Sequence, residues 1–104
     1  MEAILEKINS LEQIYIKGYE DSFLDNALQK IISHQLARDQ AELKVLQQDL
    51  AELERKYGVS SEKFYERFQA GQMSDEADFM EWNVLYKMSV KLQNRLGILQ
   101  GQRV

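Results

Sequence analysis

The chain has no cysteine, no proline, one histidine, one tryptophan and five glycines in 104 residues. Without cysteine there is neither a disulfide framework nor a thiolate zinc site. His34, the single histidine, has Lys30, Ile31, Ala37 and Arg38 at helical spacing. None of these is a metal ligand, and no Glu-x-x-His pair exists, so no metal site is expected. No segment approaches the ~18 consecutive apolar residues that cross a bilayer. The start, Met1 to Lys7, lacks the basic opening and apolar run of a secretion signal, which makes the cytoplasm the expected location. Gly58, Gly71, Gly97 and Gly101 stand apart from one another, so no phosphate-cradling loop is present.

What remains is the composition of a helical protein. The chain is 44% hydrophobic and 29% charged, a usage of long helices and coiled coils rather than of disorder. Its size allows one domain, 1–104. The net charge of −4 is unevenly spread: residues 59–81 carry −4, whereas residues 82–104 carry Lys87, Lys91, Arg95 and Arg103 with no acid. Acids near a helix start and bases towards its end both complement the helix dipole. The acidic balance argues against direct nucleic-acid binding, which rests on phosphate neutralisation.

Apolar periodicity divides the chain into four segments. Residues 1–20 hold a first helix over 2–17, in which Ile4, Ile8, Leu11 and Tyr15 recur along one face and Gly18 supplies the stop. Residues 21–58 hold one long helix over 22–57, capped by Asp21 or Ser22 and ended by Gly58. Its seam runs Ile32, Leu36, Asp39, Leu43, Leu46, Leu50, Leu53, Tyr57, a heptad broken only by Asp39. Partial exposure near the end of a partner helix is the simplest way for that acid to be tolerated. Residues 59–73 form a corner with a short helix over 60–70, where a Ser60 cap puts Val59 and Phe64 in hydrophobic-staple positions. Residues 74–100 return as a last helix starting at Ser74 or Asp75, with the seam Trp82, Leu85, Ser89, Leu92, Leu96, Leu99 and an interruption at Gly97.

The two seams match if the last helix folds back on the long one. The expected fold is therefore all-α: a long antiparallel coiled-coil helical hairpin with a short helix at the turn and an N-terminal helix. Tyr57 would lie near Trp82, Leu50 near Ser89 and Leu43 near Leu96. Glu42, Asp49, Glu52 and Glu54 would run beside Lys87, Lys91 and Arg95, selecting orientation more than adding stability. At ~1.5 Å per residue the long helix spans roughly 54 Å and its partner about 37 Å. Leu24, Leu28, Ile31 and Ile32 are then left over, and an uncovered apolar strip calls for a second layer. Either the first helix folds back over that strip or a second copy of the chain covers it, and both can hold together; with Ile4, Ile8 and Leu11 these residues form the expected homodimerisation surface.

No chemistry-bearing constellation competes with a binding role. Asp75, Glu76, Asp78 and the pair Glu52 and Glu54 sit on a helix start and a solvated flank, not in the desolvated cleft that acid–base work needs. The expectation is no enzyme, no catalytic residue and no cofactor. The candidate partner-binding residues are Tyr57, Phe64, Tyr65, Phe68, Met73, Phe79, Met80, Trp82 and Tyr86, with Tyr65, Met73 and Met80 expected to face outward. Trp and Tyr dominate interface energetics, although a mini-core at the corner is the competing use of the same rings.

The corner also carries a resemblance. Tyr57-Gly58-Val59-Ser60-Ser61-Glu62-Lys63-Phe64, then Phe68 to Gly71, then Asp78-Phe79 and Glu81-Trp82 resemble a pattern of small bacterial and archaeal helical proteins. Such proteins look like antitoxin components of type II toxin–antitoxin pairs, encoded beside a small toxin that is often a ribonuclease. The resemblance spans residues 56–86, about a third of the chain. It implies a protein-binding regulator that masks a basic toxin, and transfers no catalytic residue. A coiled-coil adaptor or assembly scaffold without a toxin is the alternative.

Overall fold

A computed structural model describes residues 1–101 of the chain. It is all-helical: α1 (Glu2–Ile16), α2 (Ser22–Tyr57), α3 (Ser61–Gln69) and α4 (Ala77–Leu99). The residues group into two compact units, Met1–Ile31 and Ile32–Val104, and the division falls inside α2. Among the described residues no helix is long and apolar enough to cross a membrane.

In the first unit, α1 ends as its glycine demands. Gly18 takes φ +87°, a left-handed conformation without penalty only for glycine. Its N–H donates to the carbonyl of Tyr15 at 3.0 Å, and the N–H of Tyr19 to that of Ile14 at 3.2 Å, the paired bonds of a Schellman stop. α2 then starts on Asp21, whose Oδ1 accepts the N–H of Leu24 at 3.0 Å. The Tyr15 hydroxyl donates to Asp25 Oδ1 at 2.7 Å. That hydrogen bond holds the Tyr15 phenol up at about 12, because ionisation would set a phenolate beside a carboxylate. Leu11, Ile14, Leu24, Ala27 and Leu28 are half-buried, whereas Ile4, Leu5, Ile8, Ile16 and Ile31 are exposed.

In the second unit most seam positions from Leu36 onward are removed from water, while Ile32 stays exposed. Leu46 and Leu50 of α2 and Trp82, Ser89, Leu92 and Leu96 of α4 are buried, with Leu36, Leu43, Leu53, Leu85 and Leu99 half-buried beside them. Each buried large side chain contributes roughly 1.5–3 kcal/mol, so packing outweighs any surface ion pair. Contacts between α2 and α4 run in opposite chain order. Tyr57 of α2 meets Phe79 and Trp82 of α4, with ring centroids 5.1 and 5.7 Å apart. Asp39, earlier in α2, meets Arg95, later in α4, at 2.9 Å.

Three expectations are corrected here. Asp39 is not partly exposed: it retains 3% of its surface, held by Gln35 Nε2 at 2.8 Å on Oδ1 and by the Arg95 guanidinium on Oδ2. Oδ2 has that ionic partner but no aligned hydrogen-bond donor. The charge partners also differ. Among the described residues the ion pairs are Asp39–Arg95 and Lys56–Asp78, and Glu42, Asp49 and Glu52 do not pair with Lys87 or Lys91. Nor does Gly97 interrupt α4, which runs on to Leu99 because the buried Leu96 and half-buried Leu99 offset the ~1 kcal/mol that a helical glycine costs. Arg103, counted in the basic tail, lies outside the described residues.

Candidate partner-binding site

The corner is built from its backbone upward. α2 ends at Gly58, φ +67°, whose N–H returns to the carbonyl of Glu54 at 2.8 Å. A side chain here would be strained, so glycine sets the exit direction. Two serines then divide the labour of starting α3. Ser60 is the cap, its Oγ accepting the N–H of Lys63 at 3.2 Å. Ser61 is buried, and its Oγ accepts the indole N–H of Trp82 at 2.9 Å. The Ser61 N–H, an orphan donor of the first helical turn, is taken by Glu54 Oε2 at 2.8 Å, a carboxylate reaching across from α2. Val59 and Phe64 both pack into the core, as a hydrophobic staple requires.

Around this frame the rings close inward. Phe64 and Trp82 are stacked at 4.0 Å and 3°, and neither retains any exposed surface. Phe64 also meets Phe68 at 5.5 Å and Phe79 at 5.7 Å. Tyr57 seals one side: its hydroxyl donates to Asp78 Oδ2 at 2.5 Å, and Lys56 Nζ donates to the same oxygen at 2.7 Å. Asp78 is held below the ordinary carboxylate range by Lys56 first and Tyr57 second. The same bonds raise Lys56 and Tyr57. This cluster also explains why α4 begins at Ala77 rather than Ser74 or Asp75: no side chain caps it, and Asp78 turns to α2.

The candidate residues therefore divide. Phe64, Phe79 and Trp82 are core, and a buried ring presents nothing to a docking protein, which corrects their assignment. Tyr57, Phe68 and Met73 are half-buried against the same cluster, so Met73 does not face freely outward. Tyr65 and Tyr86 are likewise half-buried against that cluster, their rings tilted together at 4.8 Å. Met80 is 51% exposed.

A groove of about 580 Å³ starts at the Tyr65–Tyr86 pair and is lined along α4 by Val84, Lys87, Met88 and Lys91, among others. Lys87 and Lys91 lie opposite the seam, and Val84 and Met88 lie between them and its flank. Met80, Val84 and Met88 repeat at four-residue steps, so they form one exposed stripe. Sequence reasoning named Met80 but passed over Val84 and Met88. The signal was there, since their spacing matches a second helix face, but a seam of leucines on the same helix masked it. Among the described residues no group of three or more His, Cys, Asp or Glu is arranged to hold a metal.

Comparison with known protein families, characterised proteins and solved structures gives no match.

Proposed function

We propose that this chain is a non-enzymatic, protein-binding helical regulator. Its architecture in this reading is an antiparallel coiled-coil hairpin of α2 and α4, with α3 at the turn, homodimerising through α1 and the start of α2. The observation that carries the binding role is the exposed apolar stripe Met80–Val84–Met88 beside the Tyr65–Tyr86 pair. Exposed, aligned apolar side chains next to half-open tyrosines are the composition of a docking surface.

The most specific form of the reading is the antitoxin of a type II pair, carried by the likeness of residues 56–86. Charge then assigns the face. The C-terminal half of the α4 stripe carries Lys87 and Lys91, so a basic ribonuclease-type toxin belongs against the exposed acids Glu62, Glu66, Asp75, Glu76 and Glu81 at the corner and the start of α4 instead. Co-expression with the short reading frame beside the gene tests it. The reading expects that product to be toxic alone, to be silenced by this chain, and to purify with it. Within that complex Tyr65→Ala is expected to weaken binding without loss of helicity; lost helicity would make the ring structural. A harmless neighbour that does not co-purify removes the antitoxin.

A second reading, an adaptor or assembly scaffold, is favoured by one observation. Apolar side chains stand exposed at two separate places, α1 and the outer face of α4. Two such faces on one chain suit association between copies.

A further inference from the structure

The two exposed faces are complementary in charge as well as in apolarity. On α1, Ile4, Ile8 and Ile16 follow four-residue steps, with Leu5 beside them, and Glu12 occupies the missing step. An acid in the middle of an apolar stripe is costly to cover unless a cation meets it. Glu12 has no ion-pair partner among the described residues. On α4 the C-terminal half of the stripe is basic: Val84 and Met88 are interleaved with Lys87 and Lys91, both without an ion-pair partner among the described residues, and Glu81 is the acid at its N-terminal end beside Met80. At ~1.5 Å per residue, α1 is roughly 22 Å long, and Met80 to Lys91 covers about 17 Å. The lengths match to within one helical turn.

We infer that α1 of a second copy docks parallel to α4 on its exposed face, placing Ile4, Leu5 and Ile8 over Met80 and Val84, and Glu12 beside Met88 between Lys87 and Lys91. This rests on the homodimer reading and names its geometry. The contact joins unlike surfaces, so a closed pair forms when each copy gives α1 and receives α1. It is a helix-on-helix recognition in which the apolar stripe supplies affinity and the charges fix which helix is accepted.

The absence of native cysteine makes the test clean. Chains carrying Ile8→Cys and chains carrying Val84→Cys are oxidised separately and as a mixture, and their masses are read on a non-reducing gel. A covalent dimer confined to the mixture is the expected result. A cross-link in Ile8→Cys alone at equal yield means α1 pairs with α1, and overturns the inference while leaving the homodimer. No cross-link in any tube overturns it as well. Independently, Lys87→Glu with Lys91→Glu is expected to weaken dimerisation about tenfold or more by placing like charges together, with circular dichroism unchanged. Adding Glu12→Lys is expected to restore part of it. A dimer indifferent to the lysine changes, or not strengthened by the glutamate change, refutes the proposed contact. A wild-type chain that is monomeric throughout refutes the homodimer reading itself.

Discussion

Ser61→Ala deletes one atom whose contribution can be worked out from its surroundings. Ser61 Oγ accepts the indole N–H of Trp82 at 2.9 Å, and Trp82 has no exposed surface, so water cannot replace the lost acceptor. An unsatisfied buried donor costs about 1–3 kcal/mol. The backbone N–H of Ser61 still reaches Glu54, so the start of α3 is retained. For a domain of this size ~1 kcal/mol moves Tm by roughly 4–8 °C. A fall of about 5–20 °C is therefore expected in a calorimetric melt, with far-ultraviolet circular dichroism unchanged at 20 °C. The pairwise origin is checked by a double-mutant cycle with Trp82→Phe, which removes the donor. On the Trp82→Phe background, Ser61→Ala should cost markedly less than it does alone. A Tm within a degree of the native value, or full additivity in the cycle, would refute the view that this hydrogen bond is buried and unreplaceable.

Asp39 and Arg95 predict an asymmetry. Arg95→Ala leaves a buried carboxylate with Gln35 alone and should lower the denaturation midpoint, whereas Asp39→Leu removes the buried charge and should lower it less or not at all, since half-exposed Arg95 can turn to water. Urea melts of both variants decide it, and equal losses would contradict the argument. The Asp78 cluster gives a pH window. Its carboxyl is lowered in the folded chain, so its contribution is present above the ordinary carboxylate range and lost as pH falls through the lowered value. Lys56 and Tyr57 are raised, so theirs is present below their ordinary values and lost as pH climbs through the raised ones. Asp78→Asn should flatten both limbs of the stability–pH curve. Among the five tyrosines, Tyr15 should ionise at about 12 in an ultraviolet titration, and Asp25→Asn should bring it down towards the ordinary value of 10.0.

Much of this fold was legible because local chemistry and packing agree over most of the chain. α2 occupies the residues its apolar period and its Asp21 and Gly58 ends demand, and the Ser60 cap with its Val59–Phe64 staple forms as spaced. The two misread acids share one cause, a distant side chain. Asp39 looks like a tolerated surface acid until Arg95, fifty-six positions away, is seen to reach it. Asp78 looks like a residue that serves its own helix start, yet it bonds Lys56 and Tyr57. The aromatic surplus of the corner was visible, but whether a ring is core or docking surface depends on how much of it nine residues of α3 can cover. They cover Phe64 fully and Tyr65 only in part. The stripe on α4 was missed because one period was read per helix where two are present.

Association through exposed apolar faces is the claim on which the functional reading turns. Multi-angle light scattering of the unmodified chain at micromolar concentration measures it without labels or variants. A mass twice the 12.2 kDa of one chain is expected. A mass of 12.2 kDa, unchanged as concentration rises, would contradict it.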